Sequence, residues 1–132
     1  MNEDLQIHNI AEVLQNSDFQ EMHASDAEGV DLLNLGKLGA GLVRFPALSG
    51  VKKHTHIGAH ALYVLQGTGE LSYEDERHPL VLGNLYGIPS KISHAIYAQT
   101  ELVLLVIGDE YQSADSPNRL KGGGSILNSS KK

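Results

Sequence analysis

None of the 132 residues is cysteine. Disulfides, thiolate nucleophiles, iron–sulfur clusters and Cys-ligated zinc are therefore excluded, and any metal must be held through nitrogen and oxygen. Tryptophan is also missing, and two phenylalanines and five tyrosines are all the aromatic surface there is. With no basic stripe to accompany them, a nucleic-acid interface has little support. No apolar run reaches membrane-spanning length, and no charged-then-apolar leader opens the chain. The expectation is a soluble, cytoplasmic protein without a membrane partner. Positive charge is absent from the front: residues 1 to 31 carry eight acids and no Lys or Arg, while residues 32 to 120 carry eight acids against seven bases. Such a run reads as a solvated acidic face.

The length suits one domain. "NIAEVLQN" places Ile10, Val13 and Leu14 at helical spacing, so a short helix is expected within an acidic segment covering 1–18. From residue 19 the chain breaks into short apolar or alternating runs, such as "GLVRFPAL", "HALYVLQG" and "TELVLLVIGD", each closed by Gly, Pro, Asn or Asp. That rhythm predicts an all-β sandwich or barrel over 19–115. "QGTGE" and "YEDERH" read as hairpin turns, and Pro46 and Pro79 should lie at strand ends or edges. The low-complexity stretch "KGGGSILNSSKK" marks 116–132 as a flexible tail.

What the chain does have is histidine, seven in all, three of them in "HTHIGAH" at 54–60. A helical reading of this stretch fails on Gly58 and on the strand-forming residues that follow. In a hairpin, His54 and His56 share one strand face. A three-residue turn at Ile57-Gly58-Ala59 would then set His60 opposite His56. Three imidazoles on one face could grip one ion at roughly 2.1 Å from each nitrogen. The competing reading is a chance cluster of exposed or singly bonded histidines.

"HTHIGAHALYVLQG" resembles the first signature of the cupin superfamily, with His54 and His56 in place, His60 where Glu is usual, and Gly67 six residues on. "GNLYGIPSKISHAIYA" resembles the second, supplying Gly83, Pro89 and His94, with Lys91 in place of a Gly and Ala98 in place of an Asn. The Gly that usually begins the first signature is Leu48 here. The resemblance implies an all-β jelly-roll barrel, a double-stranded β-helix, with a short N-terminal helix. It also implies that His94 joins His54, His56 and His60 around one metal. His8, His23 and His78 have no motif position and read as surface residues.

Four neutral imidazoles would leave a divalent ion its full charge, favouring an anionic chelating substrate such as an enol, diketone or hydroxy acid. Imidazole suits Fe, Mn, Ni, Cu and Zn alike. The preferred expectation is a metal-dependent, dioxygenase-like oxidoreductase of cupin type. The alternatives are a metal-dependent lyase or isomerase, and a non-catalytic small-ligand-binding cupin. Gln66 and Arg44 are substrate-pocket candidates, each weighed against a plain hydrogen bond or surface ion pair. Tyr63 should face away from the site, and Tyr86 and Tyr97 read as core. The family resemblance also implies a homodimer, with strands in 19–36 pairing or exchanging across the interface.

Overall fold

The computed structural model describes residues 4–22 and 25–109; His23, part of the expected barrel end (110–115) and the expected tail (116–132) lie outside the described residues. The short helix forms as α1 (Ile10–Asn16), opened by Asn9, whose side chain accepts a hydrogen bond from the Glu12 N–H. The remaining regular structure is strand: β1 (Gln20–Glu21), β2 (Glu28–Leu35), β3 (Leu38–Phe45), β4 (Ser49–His54), β5 (His60–Gln66), β6 (Gly69–Tyr73), β7 (Glu76–Leu80), β8 (Leu85–Ile88), β9 (His94–Ala98) and β10 (Leu102–Gly108).

These strands make two antiparallel sheets, one ordered β1-β2-β3-β10-β5-β8 and the other β4-β9-β6-β7. Alternation decides which side chains face inward. Val43 and Phe45, Leu62 and Val64, and Leu104 and Val106 come from the larger sheet; Val51, Leu71, Ile96 and Ala98 come from the smaller. Together they form one buried cluster, each large side chain contributing about 1.5–3 kcal/mol by leaving water. The all-β jelly-roll architecture expected from the sequence is the one observed.

Local expectations fare unevenly. "YEDERH" is a hairpin, with Tyr73 paired to Glu76 across Glu74-Asp75. Pro46 follows the last residue of β3, and Pro79 lies on β7, an edge strand. "QGTGE" is not a hairpin: it carries the chain from β5 in one sheet to β6 in the other. "HTHIGAH" is not a hairpin either. β4 pairs with β9, while β5 is flanked by β10 and β8, so residues 55–59 cross between sheets. With both edges of β5 occupied, its backbone has no room for β4.

Three motif positions explain themselves in the backbone. A Cβ at Gly67, where φ is +89°, would run into the carbonyl oxygen of Glu101. Leu48 and Lys91 stand where the cupin signatures carry glycine, and both keep the left-handed conformation, with φ of 64° and 66°. At the far edge, the Gln6 side-chain amide donates to the Asn34 carbonyl and accepts from the Asn34 N–H, both at 2.8 Å, standing in for a strand neighbour of β2.

Candidate metal centre

His94 begins β9 and His54 ends β4; they are direct partners in the antiparallel register. His94 inherits its inward direction from the apolar alternation with Ile96 and Ala98, whereas His54, an odd three positions beyond Val51, is turned inward by the register shift between them on β4. His56 lies on the crossover. Its carbonyl accepts from the Lys91 N–H at 3.0 Å, and the Gly58 N–H donates to Ser90 Oγ at 2.9 Å, so the turn before β9 pins this segment. All three rings are buried.

The tautomers of two of them follow from their hydrogen bonds. His54 Nδ1 lies 2.9 Å from the Lys52 carbonyl oxygen, and His94 Nδ1 lies 2.8 Å from that of Ile92. A carbonyl oxygen only accepts, so each Nδ1 carries the hydrogen, and in the neutral ring Nε2 keeps its lone pair. Burial pushes the His94 pKa below the ordinary 6.5, against a smaller upward pull from the Ile92 bond. The unprotonated, ligating form is thereby favoured.

Among the described residues, His54, His56 and His94 offer ring nitrogens that all lie within 4.8 Å of one another. His56 Nε2 and His94 Nε2 are 3.2 Å apart. Two nitrogens bound at about 2.1 Å would be separated by roughly 3.0 Å in an octahedron and 3.4 Å in a tetrahedron. The His56–His94 spacing and the donor chemistry of all three rings therefore fit a divalent ion. His60, fourth in the expected set, falls outside this group. Its half-buried ring stacks on His56, with centroids 4.0 Å apart and planes 20° apart, and lies across Gly108 on β10. The His60 strand partners are Ile88 and Gly108 rather than His56.

The rings border a cavity of about 50 Å³ whose remaining walls, among the described residues, are apolar, including Val43, Phe45, Leu62 and Leu104, with Ser25 as the exception. Among the described residues no Asp, Glu, Lys or Arg lines it. The two pocket candidates lie elsewhere. The β5/β10 register shifts so that Gln66 pairs with Val103 and Val64 with Leu104, which takes Gln66 out of the inward alternation. Gln66 is exposed and donates to Glu101 Oε1 at 2.9 Å. Arg44 points away from Val43 and Phe45, donates to Glu28 Oε1 at 3.0 Å and stacks over the Phe19 ring. Tyr63 and Tyr97 are exposed, so Tyr97 is not core; the Tyr86 hydroxyl is committed to the Pro79 carbonyl at 2.6 Å. Sequence reasoning missed Ser25 and Gly108. Neither sits in a recognisable motif.

A family model described as a cupin domain matches residues 41–108. Similar solved structures include an RmlC-like cupin from Shewanella frigidimarina, 16% identical, covering 74% of this chain and 87% of that one, with a TM-score of 0.66. KdgF from a Halomonas species is 21% identical, covering 72% and 89%, also at 0.66. A salicylate 1,2-dioxygenase from Pseudaminobacter salicylatoxidans is 19% identical at a TM-score of 0.60; it covers 64% of this chain, which spans 26% of that enzyme. No curated protein sequence matches the chain. At these identities the structural likeness speaks to fold.

Proposed function

The chain belongs to the cupin-domain family, and on that premise we propose a metal-dependent enzyme of the dioxygenase type, acting on a small chelating anion. One observation carries the reading: three imidazoles, two with Nε2 held as a lone pair, converge at a cavity lined by no carboxylate among the described residues. His54, His56 and His94 are the proposed ligands of one Fe, Mn, Ni, Cu or Zn ion, with His60 beside them. A divalent ion there would supply undiminished positive charge for a small chelating enol, diketone or hydroxy acid. The chain's own part is orientation and exclusion. The Lys52 and Ile92 carbonyls fix the His54 and His94 rings. The apolar walls keep water from a reacting anion.

The test is elemental analysis of protein purified without added metal, followed by oxygen-electrode assays against small enols, diketones and hydroxy acids. Metal at one ion per chain and substrate-dependent oxygen uptake support the proposal. Turnover without oxygen uptake assigns a lyase or isomerase, and binding without turnover a ligand-binding module. Absence of bound metal under every loading condition rejects all three.

A homodimer is part of the same proposal. β1 covers only two residues of β2 at that edge of the larger sheet and Gln6 caps Asn34, so the stretch of β2 between them is the proposed pairing surface within 19–36. A monomeric mass in solution scattering overturns it.

A further inference from the structure

Among the described wall residues of the cavity other than the histidines, Ser25 alone is polar. Ser25 is 1% exposed and lines the cavity. Described residues on either side of it are fastened. The Met22 N–H donates to the Ala27 carbonyl at 2.9 Å, and Asp26 Oδ2 accepts from the Gly50 N–H at 3.0 Å. Ser25 Oγ itself accepts from the Ala27 N–H at 3.0 Å. A hydroxyl has one donor and two acceptor sites. The Ala27 bond uses an acceptor and turns the O–H away from that amide. This acceptance is the one hydrogen bond of the Ser25 side chain among the described residues. A buried donor without an acceptor is unfavourable, so a ligand that supplies one gains more there than it would in water.

The rest of the wall narrows the ligand further. Among the described residues no Lys or Arg lines the cavity, so none of them clamps a second negative charge remote from the metal. At about 50 Å³ the cavity is a third of the roughly 150 Å³ that takes up a benzene ring. The enclosed part holds a few heavy atoms, fewer than an aromatic ring contains.

We propose that the hydroxyl of Ser25, a buried residue lining the cavity beside the three histidines, selects a small aliphatic monoanion whose second oxygen accepts its hydrogen bond. This rests on the metal-site reading and names its substrate class. Ser25 recognises the ligand and takes no proton in the reaction.

The test uses the full chain loaded with Co(II), whose visible spectrum reports anions entering the centre. Acetate offers one oxygen to the metal and another to Ser25, whereas thiocyanate offers no oxygen. Ser25→Ala is expected to bind acetate about tenfold more weakly, with thiocyanate affinity and cobalt content unchanged. Equal losses for both anions, or none for acetate, overturn the role of Ser25. Size is tested on the unmodified protein, without any variant: acetate changes the spectrum and benzoate does not. Benzoate binding as tightly as acetate overturns the aliphatic class. Failure of the unmodified protein to bind cobalt would instead sink the metal reading beneath both.

Discussion

His54 and His94 stand directly opposite each other on neighbouring antiparallel strands, their rings meeting edge to face with centroids 4.3 Å apart. Two strand-end residues in register reach the same point from opposite directions, and each ring is aimed by a carbonyl two residues earlier in its own chain. His54→Ala and His94→Ala should therefore lose metal alike. Removing an orienting partner costs about 10–100-fold in metal affinity, and losing a ligand should cost at least that. Metal content after dialysis reads the outcome; a variant that keeps a full ion per chain removes its residue from the site.

Gly108 is a glycine because the His60 ring occupies the space a side chain would need: a Cβ there would lie 2.8 Å from His60 Nε2, with Cδ2 closer still. Gly108→Ala should displace the ring and destabilise the protein by about 1–3 kcal/mol, as overpacking does. Because His60 lies outside the group of three, metal content should hold. Loss of metal in this variant would mean that His60 is a ligand after all. Imidazole NMR signals and a urea titration follow the two effects.

Leu48 and Lys91 keep a left-handed backbone that costs a side-chain-bearing residue roughly 1–2 kcal/mol. Part of that is offset by the greater freedom glycine has when unfolded. Leu48→Gly and Lys91→Gly should each stabilise by about 0.5–1 kcal/mol, seen as a higher unfolding midpoint. The Lys91 turn also donates to the His56 carbonyl, so Lys91→Gly should leave metal binding intact. A lower midpoint in both variants would contradict the strain.

The His94 pKa is lowered by burial, so below its ordinary 6.5 the unfolded chain takes up more proton than the folded one. Stability from the neutral buried ring is then fully present above about pH 6.5 and lost as pH falls through the lower folded value. Metal-free protein held in chelator should unfold at lower urea at pH 5.5 than at pH 7.5. His94→Asn should shrink that difference. Equal midpoints at the two pH values would refute the shift.

How much of this was legible depended on the range of the interaction involved. Period-two alternation in "HALYVLQG" and "TELVLLVIGD" is local, and it correctly announced strands with one apolar face. The convergence of His54 with His94 is a pairing across forty positions, and only the family resemblance pointed to it. The hairpin at Gly58 was a sound local inference defeated by competition: β10 and β8 take both edges of β5, so the turn became a crossing. Gln66 was misplaced by a register slip against β10, which no alternation count registers. Ser25 had no signal, since its meaning comes from what surrounds it.

The distribution of the histidines over the two sheets has a mechanical consequence. His54 and His94 are riveted into one sheet and His56 is tied to the turn leading into it, whereas His60 belongs to the other. A small parting of the two layers would therefore act on the stacking of His60 against His56 and leave the strand pairing that joins His54 to His94 undisturbed.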